Sequence, residues 1–310
     1  MKALKGSPMQ THKLIALPLA SAALIAACGG GSDDPGAPPP VVTSSSASSG
    51  VRYSEALLIT LRGNNLDQAL TLSSTACKAF TRNTAAPFVS TATTAYYTCT
   101  VSGATGNVSV TVAGGGVTAA TVPFTVDVPQ VTLNVSNGTG IIGTLVVTLH
   151  PNQAPVTVDN FLAYVQAGFY TGTAFHRHAR NSDLSSYALQ GGGYDAPLSS
   201  TRLFPPHKPT RANIALEAGR GLSNLRYTVA MARLSEPNSA NSEFFINTAD
   251  NVRFDTQGGG YAVFGTIVTG TTVVDAMVTA PCNFSANFSL GSPDCVPEPN
   301  LIISSATQTR

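Results

Sequence analysis

The sequence predicts a mainly β protein: a small β-sandwich over residues 51–128, then a larger β-rich unit with two helices over 129–310. Two observations carry this. Short segments alternate apolar and polar residues and stop at glycine-rich turns, as half-buried strands do. Helical spacing, in contrast, is confined to two stretches of the larger unit, near 154–168 and 271–279. Composition agrees with an ordered chain. Hydrophobic residues make up 43% but charged residues only 11%, against ~25% in typical domains, so Ser, Thr, Asn and Gly must supply the polar surface. Disorder needs high charge and few apolar groups. A net charge of +1 gives no basic footprint for nucleic acid, and the absence of Trp argues against a stacking platform for single strands.

Residues 1–27 read as a signal peptide. Lys2, Lys5 and Lys13 precede an apolar run, Leu14 to Ala27, of 14 residues, short of the ~20 a spanning helix needs. The run ends Leu24-Ile25-Ala26-Ala27-Cys28, followed by Gly29-Gly30-Gly31-Ser32. This resembles the bacterial lipobox, in which the cysteine is lipidated and becomes the mature N-terminus. The resemblance implies a membrane anchor at Cys28, and Gly29 after the cysteine favours the outer membrane. Residues 28–50, with Pro38-Pro39-Pro40 and a Ser/Thr run, have the composition of a flexible tether.

The sandwich follows. Ala56 to Leu61 ends at Gly63-Asn64-Asn65, and Tyr96 to Val101 ends at Ser102-Gly103. Asn107 to Val112 has period two and stops at Gly114, and Val117 to Val128 closes the set. Strands at this spacing argue a sandwich, one similar to the immunoglobulin-like modules of bacterial surface proteins. No cluster of carboxylate, His or Cys suggests chemistry here, so a spacer or docking role is expected.

Cys28 accounts for the odd one of five cysteines. In an oxidising compartment the economical pairing of the rest is Cys77–Cys99 and Cys282–Cys295. Neither pair has CxxC spacing or neighbouring His ligands in the sequence, so no metal site is expected.

In the larger unit, Val131 to Leu149 alternates around Asn137-Gly138-Thr139-Gly140, a hairpin signal. Val158, Phe161, Leu162 and Val165 then fall on one helical face, with Pro155 suited to the first turn and Gly168 to the stop. After the helix come Gly168-Phe169-Tyr170, Phe175-His176-Arg177, Gln190-Gly191-Gly192-Gly193, Val229-Ala230-Met231-Ala232, Glu243-Phe244-Phe245-Ile246-Asn247 and Tyr261-Ala262-Val263-Phe264-Gly265.

In order and spacing these pieces resemble the cyclophilin family of peptidyl-prolyl cis/trans isomerases across nearly all of 131–310. The resemblance implies a closed eight-stranded β-barrel with two capping helices, acting on X-Pro bonds of proline-containing polypeptides without metal or organic cofactor. It makes Arg177 the catalytic residue and Phe245 the floor of a proline pocket lined by Phe254, Tyr187 and Ala188. Gln190, Ala232, the backbone near Arg233, Tyr261 and Glu243 would border the peptide. His176 reads as a structural, hydrogen-bonded histidine. The Gly191 to Gly193 run is not a phosphate loop, since no Lys-Ser/Thr follows.

The chain also departs from the family pattern. Nine residues, 178–186, separate Arg177 from Tyr187 as an apparent long loop, where the family has a shorter, proline-containing gap. Ala188 stands where the family has Met, and Arg253 where it has an auxiliary Trp. Glu243 replaces a Gln and adds a negative charge near Arg177; a salt bridge there would hold the arginine away from substrate. Residues 281–297 read as an added loop stapled by its cysteines. The expected protein is a monomeric, lipid-anchored isomerase of the cell envelope serving exported proteins. The alternative is a non-catalytic module that binds proline peptides.

Overall fold

The computed structural model describes residues 38–115, 117–198, 206–283 and 293–310. The signal peptide and Cys28 lie outside these residues. Residues 39–310 form one compact unit.

Its N-terminal portion holds two antiparallel sheets. The strands are β1 (Val41–Ala47), β2 (Ala56–Asn64), β3 (Thr71–Ser73), β4 (Cys77–Arg82), β5 (Thr94–Val101), β6 (Gly106–Gly114) and β7 (Val117–Val126). One sheet runs β1-β2-β5-β4, the other β3-β6-β7. Alternate residues of the two sheets, Leu57, Ile59, Leu61 and Tyr97 in one and Val110, Val112 and Val122 in the other, are buried in one core, as period-two strands require. Cys77 and Cys99 are disulfide-bonded across β4 and β5. The stretch read as tether is corrected at its C-terminal end. Val41–Ala47 is an edge strand paired with β2, and its Ser/Thr side chains face outward, so no apolar alternation marks it.

The second portion begins with the hairpin β8 (Gln130–Ser136) and β9 (Ile142–Leu149), followed by α1 (Pro155–Gln166), β10 (Thr173–Arg180) and β11 (Ser186–Asp195). Then come β12 (Thr228–Met231), β13 (Phe244–Asn247), β14 (Val263–Thr269) and α2 (Thr271–Met277). The short pair β15 (Cys282–Asn283) and β16 (Val296–Pro297) precedes β17 (Ile302–Gln308). Eight strands close a barrel in the order β10-β11-β13-β12-β14-β9-β8-β17. In α1, Pro155 occupies the first turn, and Val158, Phe161, Leu162 and Val165 are buried. The Phe161 ring meets Phe264 at 5.0 Å, Tyr170 at 5.2 Å and Phe244 at 5.7 Å, which fixes the helix against the barrel.

The apparent long loop at 178–186 is corrected too. Strand β10 continues to Arg180 and β11 starts at Ser186, so most of the extra residues lengthen a hairpin whose tip is 181–185. Three register shifts along β10–β11 mark bulges, which re-aim side chains locally.

The two portions are bonded across the 128/129 boundary. Buried Tyr53 donates its hydroxyl proton to Asp159 of α1 at 2.8 Å and accepts the Gly103 N–H at 2.7 Å. Lys78 pairs with the same Asp159, and Gln308 of β17 donates to the Tyr53 carbonyl at 2.9 Å. Burial, reinforced by the Asp159 charge, holds the Tyr53 phenol well above its ordinary pKa, so it remains a donor.

Candidate active site

Alternation along β13 divides its two phenylalanines. Phe244 and Ile246 point into the barrel core, whereas Phe245 belongs to a separate apolar cluster outside it. That cluster joins Phe245 to Ala179, Ala188, Ala230 and Val263, with Tyr187, Phe254 and Tyr261 packed against it. The Phe254 ring lies 5.8 Å from Phe245, and the Tyr261 ring 5.6 Å from it. Phe245, Ala179, Ala188, Tyr187, Phe254 and Tyr261 line a cavity of about 210 Å³ whose remaining wall includes Arg177, Gln190, Ala232 and Arg233. Backbone pairing explains the convergence. Arg177 of β10 sits opposite Gln190 of β11, and Gln190 sits opposite Phe245 of β13, so three neighbouring strands deliver donor, amide and ring in one row.

The rim is held by cations. Arg233 donates to the carbonyls of Leu234, Gly258 and Gly260, and its guanidinium lies 4.8 Å over the Tyr261 ring. Arg253 lies 4.9 Å from the Tyr187 ring and 5.1 Å from the Phe254 ring. A guanidinium thereby covers the aromatic wall on this side.

Arg177 donates from Nη1 to Gln190 Oε1 at 3.2 Å. Its Nε and Nη2 both reach Asp294 Oδ2, at 2.8 and 2.7 Å. The expected pairing with Glu243 is therefore corrected. Glu243 instead accepts Gln190 Nε2 at 2.6 Å and meets His207 Nε2 at 2.7 Å and His176 Nε2 at 3.4 Å. It turns away from the 210 Å³ cavity and lines an adjoining one of about 330 Å³ with Tyr194, His207 and Asn241. Burial opposes the Glu243 charge, but hydrogen bonds from His176, His207 and Gln190 outweigh it and hold the carboxyl well below the usual range. The bond to Glu243 raises the His207 pKa above 6.5 against the pull of burial. A Cβ on Gly193 would crowd Glu243 Oε1 and His207 Nε2, so a larger residue there would push the pair aside.

Sequence reasoning placed Arg177, Gln190, Tyr187, Ala188, Phe245, Phe254 and Tyr261 together, with Ala232 and Arg233 at the border, and all nine line the one cavity. It missed Asp294 and His207. Each is distant in sequence from its partner, 117 residues for Asp294 and 36 for His207, and no periodicity announces either. Cys282 and Cys295 are disulfide-bonded, and the Cys282 sulfur lies 3.6 Å from His178 Nδ1.

A sequence model of the family described as cyclophilin type peptidyl-prolyl cis-trans isomerase/CLD matches residues 131–307, more than half of the chain. The chain belongs to the cyclophilin-type peptidyl-prolyl isomerase family. A peptidyl-prolyl cis-trans isomerase of Streptomyces antibioticus is 44% identical over 140 residues, covering 44% of this chain and 77% of that one. A second, of Acinetobacter baylyi, is 42% identical over 142 residues, 45% of this chain and 69% of its own. Peptidyl-prolyl cis-trans isomerase B of Escherichia coli is 38% identical over 170 residues, 53% of this chain and 93% of its own. Each alignment spans about half of this chain. As a cyclophilin, the chain is a peptidyl-prolyl cis-trans isomerase whose barrel carries the pocket described above.

Proposed function

We propose that the cyclophilin barrel isomerises X-Pro bonds of exported proteins by using Arg177 to stabilise the twisted amide. The X-Pro bond resists rotation because the nitrogen lone pair is shared with the carbonyl, a barrier of ~18–20 kcal/mol. As the amide twists, resonance is lost and the lone pair becomes a hydrogen-bond acceptor. A donor aimed at it binds the transition state more tightly than either ground state. Arg suits this task because it stays charged and its planar fork is rigid.

The observation that carries the reading is the row Arg177–Gln190–Phe245, which with the rings of Phe254 and Tyr261 lines one cavity of about 210 Å³. In this reading Phe245, Phe254 and Ala188 receive the proline ring. Gln190 holds the guanidinium through its oxygen while its amide is fixed by Glu243. No covalent intermediate and no cofactor enter the reaction.

The envelope setting rests on the sequence: the signal peptide, the lipobox ending at Cys28 and the paired cysteines, which favour an oxidising compartment. We place the protein on the outer membrane facing the periplasm, as a monomer tethered through Cys28, with the N-terminal sheets, similar to an immunoglobulin-like module, as spacer. Cis-to-trans exchange of an Ala-Pro peptide, measured by NMR with the full chain, tests the activity. Acceleration is expected. Binding of the peptide without acceleration would select the non-catalytic binding module instead.

A further inference from the structure

Two hydrogen bonds and an ion-pair contact fix the Arg177 guanidinium: Nε donates to Asp294 Oδ2, Nη1 donates to Gln190, and Nη2 lies 2.7 Å from the same Asp294 oxygen. Asp294 is no chance surface neighbour. Its side chain is 9% exposed, and its second oxygen accepts the Arg180 backbone N–H at 2.9 Å. The segment that carries it is zipped to β10. His178 and Cys295 exchange backbone hydrogen bonds at 2.8 and 3.2 Å, and the Arg180 guanidinium grips the Pro293 carbonyl at 2.7 and 3.0 Å. The Cys282–Cys295 disulfide ties the residue after Asp294 to β15. The carboxylate is thus held independently of Arg177, on the same strand that supplies Arg177.

We infer that Asp294 is a positioning residue of the isomerase, a carboxylate, carried beside Cys295 of the Cys282–Cys295 disulfide, that orients Arg177 toward the bound prolyl peptide. The inference rests on the role proposed above for Arg177. A guanidinium has five N–H groups. Asp294 accepts the Nε N–H and pairs with Nη2, and Gln190 accepts one N–H of Nη1. N–H groups on the two terminal nitrogens are left for the peptide. A long, flexible side chain loses rotamer freedom when it is aimed at a substrate. Asp294 removes that freedom before the substrate arrives, which acts on the chemical step more than on binding.

The test is steady-state exchange kinetics of an Ala-Pro peptide with the full chain, comparing Asp294→Ala, Asp294→Asn, Arg177→Ala and the Arg177→Ala/Asp294→Ala double variant. Thermal unfolding of each reports folding. Asp294→Ala is expected to lower kcat about 10-fold with KM within about 2-fold, less than the ~10²-fold that a 1 Å misplacement of a reacting group can cost. Asp294→Asn, which retains an acceptor for the Arg180 N–H, is expected to fall between wild type and Asp294→Ala, and it carries the test if the alanine variant unfolds. In the Arg177→Ala background the Asp294 substitution should have no further effect. Wild-type or faster exchange in both Asp294 variants overturns the inference, and faster exchange makes the contact inhibitory. So does an equal loss with and without Arg177, which marks a purely structural role. Wild-type exchange in Arg177→Ala would instead remove the proposed role of Arg177 itself, a result distinct from either.

Discussion

Cys77–Cys99 joins two strands, β4 and β5, that are already hydrogen-bonded neighbours in one sheet. Cys282–Cys295 spans the same Cα–Cα distance, 5.6 Å, but lies beside the site. It ties the short β15–β16 pair to a segment that runs against β10 and places Asp294 on Arg177. On the role proposed for Asp294, the same covalent bond adds stability in one region and geometry in the other. The difference comes from what the closed segment touches, since both enclosed stretches are short, with separations of 22 and 13 residues.

Replacing each pair by serine sharpens this contrast. Closing loops of this size contributes on the order of 3 kcal/mol in the chain-entropy model. Cys77→Ser/Cys99→Ser should lower unfolding stability by about that amount, and exchange kinetics at a temperature where the chain stays folded should be unchanged. Cys282→Ser/Cys295→Ser should also lower kcat toward the Asp294→Ala value. Equal kinetics in the two double variants would erase the distinction.

Acid should also affect the regions unequally. His178, beside the second disulfide, is held to a pKa of about 4, chiefly by burial and then by the Arg180 charge, with Asp294 opposing. Above pH 6.5 neither the folded nor the unfolded chain protonates it. As pH falls from 6.5 toward 4 the unfolded chain takes up a proton that the folded one refuses, so stability declines by on the order of 3 kcal/mol. His207 has the opposite sign. Its raised pKa contributes stability that is complete below 6.5 and lost as pH rises through the folded value. Residues 38–128 contain no histidine. Denaturant melts at several pH values should therefore show a decline below pH 6.5 that His178→Gln flattens. An unchanged slope in that variant would assign the decline to other groups, His150, which burial also lowers, among them.

A smaller effect is expected where the two portions meet. Tyr53→Phe removes the hydroxyl that bridges Asp159 and Gly103. It should cost about 1.5–3 kcal/mol, the value of a hydrogen bond to a charged partner. One cooperative transition should remain in calorimetry. Separation into two transitions would show that this hydroxyl holds the two portions together as one folding unit.

Legibility in the sequence follows how local each signal is. β2, β5, β6, the β8–β9 hairpin and α1 carry their own periodicity, because each buries one face. β1 and β4 do not. Their residues are half or fully exposed at most positions, so neither shows a continuous apolar stripe. At the site, Phe245 was legible through the ordered family motifs, and its role is consistent with the alternation that sends Phe244 to the core. The electrostatics were not legible. Glu243 lies near Arg177 in the strand order but faces His207, and the arginine's carboxylate partner arrives from beyond the second disulfide. Such pairings depend on how the closed barrel brings distant segments together, which no local pattern encodes.

The central claim is that Arg177 acts on the twisted amide rather than on substrate affinity. The most direct test compares wild type and Arg177→Ala by NMR, reading bound-state exchange rate and dissociation constant from one Ala-Pro peptide titration. The account predicts a 10²–10³-fold slower exchange, as for loss of one transition-state donor, with the dissociation constant changed less than about 3-fold because Phe245 and its neighbours still bind the ring. Exchange that persists at the wild-type rate, or a loss explained entirely by weaker binding, would contradict it.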